Sequence, residues 1–297
     1  MPTTKTTQLS ALASVALLDA YTDFILSRQA MNCTPVTMRF YRFTAGKFLE
    51  WIAGQNVTGP EEVTARHVRQ FIAELTGRGL QDTTVHGYAR AIKTLLRFWL
   101  NEGYIAQQVR FDMPRLEKKR LPVLTKDQVR QIVKACNVRD KAMFLFMVDS
   151  GLRRAEVCAL NWPDVDMSNG LVRVRQGKGK KDRSAAVGAT TRRALLAYRR
   201  TLADRDGPLF QKQTGTRITA NALLNIFQRL TKRTGIHVTP HIVRRTFVIL
   251  SLRAGMPAHQ VQLMLGHASL QMTLHYAQLE DIDLLEAHRE HSPVDNL

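Results

Sequence analysis

Cysteine is scarce: Cys33, Cys136 and Cys158 are an odd number, widely spaced, with no CxxC. That argues against a disulfide framework or a thiolate metal site and leaves reduced thiols in a cytoplasmic protein as the expectation. Long apolar runs are missing too. The longest clean one, Ala142 to Val148, is far short of the roughly 20 residues a membrane-spanning helix needs. The opening MPTTKTTQLS lacks the charged-then-apolar layout of a secretory signal, and no internal repeat or low-complexity tract stands out. Acid is also short. Twenty-five Asp and Glu stand against 43 Lys and Arg, a formal charge of +18 and a pI near 10.4. An excess of that size points first to a polyanion, of which nucleic acid is the commonest, with an acidic membrane surface the competing partner.

What remains is an ordinary globular balance, 44% hydrophobic over 297 residues, enough for two domains. The charge is uneven: residues 1–110 carry a net +4 and residues 111–297 a net +14. Between them, Met113-Pro114-Arg115-Leu116-Glu117-Lys118-Lys119-Arg120-Leu121-Pro122 brackets four basic residues with two prolines and cannot continue a helix. The expected organisation is a helical domain over 1–113, a basic linker over 114–122 and a second domain over 123–297.

Before the linker the period is helical. Leu9 to Arg28 places Leu12, Val15, Ala16, Ala20, Phe24 and Ile25 largely on one face. A second helix from about Thr37 should bury Phe40, Phe43, Phe48, Leu49 and Trp51 and stop at Gly54. Thr64 is a candidate N-cap for a third, with Gly77 past its end, and Thr83 to Asn101 forms a fourth. Beyond the linker, Thr125 can cap a helix reaching Cys136, and Arg139 to Ser150 gives another. Then the period falls to two over Gly170–Arg175 and again over Ser184–Val187, joined by the glycine-bearing turn Gln176–Asp182. Helical spacing returns from Thr190. The fold class expected is mainly α with a small antiparallel β-sheet.

Four stretches carry candidate chemistry. In Ser150-Gly151-Leu152-Arg153-Arg154-Ala155-Glu156-Val157, Arg153 and Glu156 share a helix face, which suits either a surface ion pair or a site. Gly177-Lys178-Gly179-Lys180-Lys181 does not fit a nucleotide P-loop and reads as a basic hairpin touching phosphate, with a catalytic role for Lys178 open. Thr239-Pro240 starts a helix on which His241 and Arg244 lie three apart near the positive end, a place for a phosphate or simply for a capping histidine beside a solvated arginine. Leu263-Met264-Leu265-Gly266-His267 ends a helix and exposes His267, and Tyr276 follows nine residues later. The last eighteen residues hold six acidic groups against Arg289 alone, a composition that favours protein over DNA as neighbour.

Taken together, SGLRRAEV, QGKGKKDR, TPHIVRR and LGHASLQMTLHY resemble the motifs of the tyrosine recombinases (the phage integrase family), especially Xer-type enzymes, in order and spacing over residues 120 to about 280. Residues 1–113 resemble that family's SAM-like helical core-binding domain more loosely, through TPVTMRFYRFTAGKFLEWI and DTTVHGYARAIKTLLRFWLNEGYI. The resemblance implies a site-specific recombinase or integrase. Its six catalytic positions would be Arg153, Lys178, His241, Arg244, His267 and Tyr276, with Glu156 supporting the first arginine. Tyr276 would be the nucleophile forming a 3′-phosphotyrosine, His241 the general base and Lys178 the general acid. His267 would donate to the phosphate, and the two arginines would stabilise its charge. No metal, cofactor or ATP is implied. The implied partners are double-stranded DNA, held in a C-shaped clamp, and further copies of the chain in a tetrameric synapse, with an accessory or partner recombinase left open. One departure stands out: the family's usual histidine after Arg244 is Arg245 here. A DNA-binding regulator that does not cut and a relaxing enzyme of the type IB topoisomerase kind are the competing classes. The complete set of six disfavours the first, and the N-terminal bundle and Xer-like motifs disfavour the second.

Overall fold

Capping side chains set most of the helix starts. The computed structural model describes residues 14–117, 121–175 and 182–266 and the single positions 269, 271, 289 and 294. The chain divides into two compact units, residues 1–119 and 120–297, each with a core of its own.

The first unit holds helices α1 (Val15–Ala30), α2 (Pro35–Ala53), α3 (Ala65–Gly77) and α4 (Asp82–Asn101), with a 3₁₀ turn at Pro60–Glu62. Ser14, Thr34 and Thr64 each accept a hydrogen bond from the amide three residues on, satisfying a donor the first helical turn leaves orphaned. Phe24, Phe48, Leu49, Ile52, Ile92 and Trp99 are fully enclosed. The Trp99 indole donates to the Ala20 carbonyl at 3.1 Å and fastens α4 to α1. Three expectations are corrected: Ala16, at the second position of α1, is exposed rather than inward, and two larger side chains are turned out as well. Val15 is 77% exposed, because the inward stripe of α1 is Leu17, Ala20 and Phe24, and a residue two positions from Leu17 falls on the opposite side. Phe43 is 50% exposed for the same reason, out of phase with Met38, Ala45, Leu49 and Ile52; its ring leans on Tyr88 at 6.2 Å. The expected helical start at Leu9 and the inward place of Leu12 lie outside the described residues.

The second unit runs α5 (Lys126–Ala135), α6 (Val138–Ser150), α7 (Arg154–Ala159), β1 (Leu171–Val174), β2 (Arg183–Ala186), α8 (Ala189–Arg199), α9 (Ala220–Thr234), α10 (Pro240–Arg253) and α11 (Ala258–Leu265). β1 and β2 pair antiparallel, Leu171 opposite Ala186 and Val174 opposite Arg183. The turn that joins them lies outside the described residues over 176–181. The core gathers around α6, whose Met143, Phe144, Phe146 and Met147 are buried with Leu152, Val172, Leu195 and Phe227. No helix among the described residues is long and apolar enough to cross a membrane.

Gly151 decides how α6 delivers the chain to the segment beyond. It caps the helix at φ 62°, in the left-handed region, and a Cβ there would collide with the ring of Phe247 on α10. Glycine is required by conformation and by space at once. Gly151→Ala should therefore destabilise the chain by roughly 2–4 kcal/mol, combining the left-handed strain with overpacking. Urea denaturation of the full chain checks this, and a loss below about 0.5 kcal/mol, the scale of an ordinary surface substitution, contradicts it.

Candidate active site

Once past Gly151, the chain reaches Arg153, the N-cap of α7, with Glu156 as its third helical residue. One Glu156 oxygen accepts the Arg153 amide at 2.7 Å and the other accepts Arg153 Nη1 at 3.1 Å. The expected pair is present, but it is no solvated surface bridge: the Glu156 side chain is 9% exposed. At the other end of α7, Arg217 Nη1 donates to the carbonyls of Cys158, Ala159 and Leu160 at 2.7–3.0 Å. A short helix is thus held at both termini by arginine contacts.

Arg244 comes from α10. Thr239 caps that helix through the Ile242 amide and Pro240 takes the first helical position. Arg244 is 6% exposed; its Nη1 donates to the Gly151 carbonyl at 2.6 Å and its Nη2 to the Leu265 carbonyl at 2.9 Å. Arg153 Nη1 reaches the same Leu265 oxygen at 3.3 Å. The two arginines meet on the last carbonyl of α11, an acceptor that has no partner within its own helix. Gly266 then caps the helix at φ 61°, in the left-handed region.

His241 lies at the exposed start of α10, one turn before buried Arg244. Partial desolvation first, then the positive charges of Arg245, Arg154 and Arg244, push its pKa below the usual histidine value. The imidazole is therefore neutral at pH 7 and able to accept a proton. Arg245, the departure from the family pattern, has a buried Nε with no hydrogen-bond partner among the described residues. Lys178, His267 and Tyr276 lie outside the described residues, as does nearly all of the acidic C-terminal stretch. Of the six predicted residues the structure describes three, and it brings Arg153 and Arg244 onto one atom. Among the described residues no three His, Cys, Asp or Glu side chains gather to hold a metal.

A further residue belongs to this cluster and was passed over in the sequence reading. Arg183, first in β2, forks onto Glu156 through Nη1 at 2.9 Å and Nη2 at 2.7 Å and gives Nε to the Met264 carbonyl at 2.9 Å. In QGKGKKDR it reads as the end of a solvated basic run. The available signal was its phase, two residues before buried Ala185 on a short strand. One carboxylate serves two guanidiniums here, so the Arg153–Glu156–Arg183 group keeps a positive balance.

Residues 122–282 match the model of the phage integrase family. The chain belongs to that family, the tyrosine recombinases, which cleave and rejoin DNA. It is 28% identical to the tyrosine recombinase XerA of Thermococcus onnurineus, over 89% of this chain and 92% of that one. It is 31% identical to the tyrosine recombinase XerC of Stutzerimonas stutzeri, over 89% and 91%. In fold it resembles the Tn1549 transposon integrase solved in complex with a circular intermediate DNA, at a TM-score of 0.75 and 20% identity, over 93% of this chain and 99% of that one.

Burial alone would raise the Glu156 pKa, but the hydrogen bonds from Arg183 and the Arg153 amide, with both positive charges, outweigh it and hold the value below the ordinary 4.5. A carboxyl lowered by folding contributes stability fully above its unfolded pKa and loses it as pH falls through the folded one. Glu156→Gln should cost about 3 kcal/mol at pH 7, by leaving two partly buried guanidiniums without their carboxylate. That difference from wild type should shrink as pH drops below 4.5. Denaturant titrations from pH 3 to pH 7 check it; a difference that does not vary with pH contradicts it.

Proposed function

We propose that this chain is a site-specific recombinase that cuts and rejoins duplex DNA through a covalent 3′-phosphotyrosine at Tyr276, without metal or ATP. The observation that carries the reading is the meeting of Arg153 and Arg244 on the Leu265 oxygen. Two guanidiniums already converging on one oxygen are spaced to hold the nonbridging oxygens of one phosphate and to stabilise the charge of a pentacovalent transition state.

In this reading the Tyr276 phenolic oxygen attacks phosphorus and the bond from phosphorus to the 5′-oxygen breaks. A free phenol, with a pKa near 10, is a weak nucleophile at neutral pH. His241 takes its proton, consistent with an imidazole that folding keeps neutral. Lys178 gives a proton to the departing 5′-oxygen, and His267 donates to the phosphate. The phosphotyrosine conserves the energy of the broken bond, so an incoming 5′-hydroxyl restores the backbone by the reverse path. The uneven charge of the sequence supports a DNA partner held largely by its phosphates.

The first helical unit, over 1–113, is read as the core-binding domain and 123–297 as the catalytic domain, joined by the basic linker. Strand exchange calls for four protomers on two duplexes, and the acidic residues 280–297 are read as the element docking onto a neighbour. Similarity to Xer recombinases over nearly nine-tenths of the chain favours recombination over a regulator that binds without cutting. A cytoplasmic enzyme, encoded with or acting on a mobile element, fits this reading.

A duplex carrying the site that the protein selects from a random pool, nicked so that the fragment bearing the 5′-hydroxyl is lost, should trap the protein on DNA. Tyr276→Phe should bind that duplex with unchanged affinity and trap none. Equal trapping by the variant would reassign the nucleophile.

A further inference from the structure

Arg183 touches one support of Arg153 and the immediate neighbour of the other. It forks onto Glu156, the carboxylate that Arg153 also uses, and its Nε holds the carbonyl of Met264, next to the Leu265 carbonyl that receives Arg153 and Arg244. Its side chain is 11% exposed. The fit is close: a Cβ on Gly266 would lie 2.9 Å from Arg183 Cδ and would force that side chain to shift. The sharing of Glu156 has a consequence for Arg153. A carboxylate takes a guanidinium best as a two-pronged fork, and Arg183 occupies that fork. Arg153 is left with Nη1 alone on Glu156, while its Nη2 and Nε carry no hydrogen bond among the described residues.

We propose that Arg183 is a positioning residue: by occupying the Glu156 fork and pinning the end of α11, it keeps the free edge of the Arg153 guanidinium available for a phosphate oxygen. Arg183 does not itself touch the substrate. Without it, Glu156 is free to draw Arg153 into a fork of its own and so withdraw it from the anion. The inference rests on the reading of Arg153 as a phosphate ligand.

The test compares cleavage by the full-length chain, at saturating protein, of two versions of the selected duplex. One carries the ordinary scissile phosphate; the other carries a methylphosphonate there. The methyl group replaces one charged nonbridging oxygen, so less cationic stabilisation is needed. Arg183→Gln should slow cleavage of the phosphate on the order of 100-fold, the cost of a slightly misplaced group, with DNA affinity unchanged. The loss should shrink at least several-fold on the methylphosphonate. Arg183→Lys keeps the charge and loses the fork. It should show a smaller loss with the same shrinkage, and it serves if the glutamine variant does not fold. An equal loss on both duplexes, or no loss, overturns the proposal. Arg153→Ala is the control: if its own defect fails to shrink on the methylphosphonate, the phosphate role of Arg153 falls and this inference with it. If that control shrinks and the Arg183 variants do not, the proposal alone is lost.

Discussion

The carbonyl of Leu265 is the point on which the site depends. Arg153 reaches it from the start of α7 and Arg244 from the middle of α10. A buried guanidinium costs several kcal/mol unless its donors are met, and the Leu265 carbonyl meets a donor of each arginine. A helix C-terminus supplies an acceptor with partial negative charge at no further desolvation of a carboxylate. Arg153 also uses the buried Glu156 carboxylate, but Glu156 is divided between two guanidiniums, so the cluster keeps a positive balance that suits an anion.

Glycine and capping residues make that meeting geometric rather than accidental. Gly151 turns the chain out of α6 so that its own carbonyl meets Arg244 and Arg153 begins the next helix. Gly266 ends α11 close against Arg183. Thr239 and Pro240 start α10 where His241 stands at the exposed, positive end and Arg244 one turn inside. Each is a local constraint, and each aims a charged group at the same small region. The strongly basic second half of the chain then adds the long-range field that draws a polyanion toward it.

Much of this was legible from the residues. Thr64, Thr125 and Thr239 cap the helices they were expected to cap, because a short hydroxyl side chain at the first turn has one dominant use. The change from helical to alternating period located both strands to within a residue or two. Val15 and Phe43 were misread because a hydrophobic side chain near a stripe looks like part of it until the helix phase is fixed by its neighbours. Arg183 escaped for a different reason. A run of like charges conceals the one member that turns inward, and only pairing with a carboxylate distant in sequence identifies it. Burial of Glu156 was equally invisible, since an Arg–Glu pair three residues apart has the same sequence whether it faces water or core.

The most direct measurement is a crystal structure of the Tyr276→Phe chain on its selected duplex. Arg153 and Arg244 should both lie within hydrogen-bond distance of the nonbridging oxygens of a single phosphate, the one at the cleavage position. Arginines found on different phosphates, or still turned wholly onto the protein with the phosphate held elsewhere, would contradict the account.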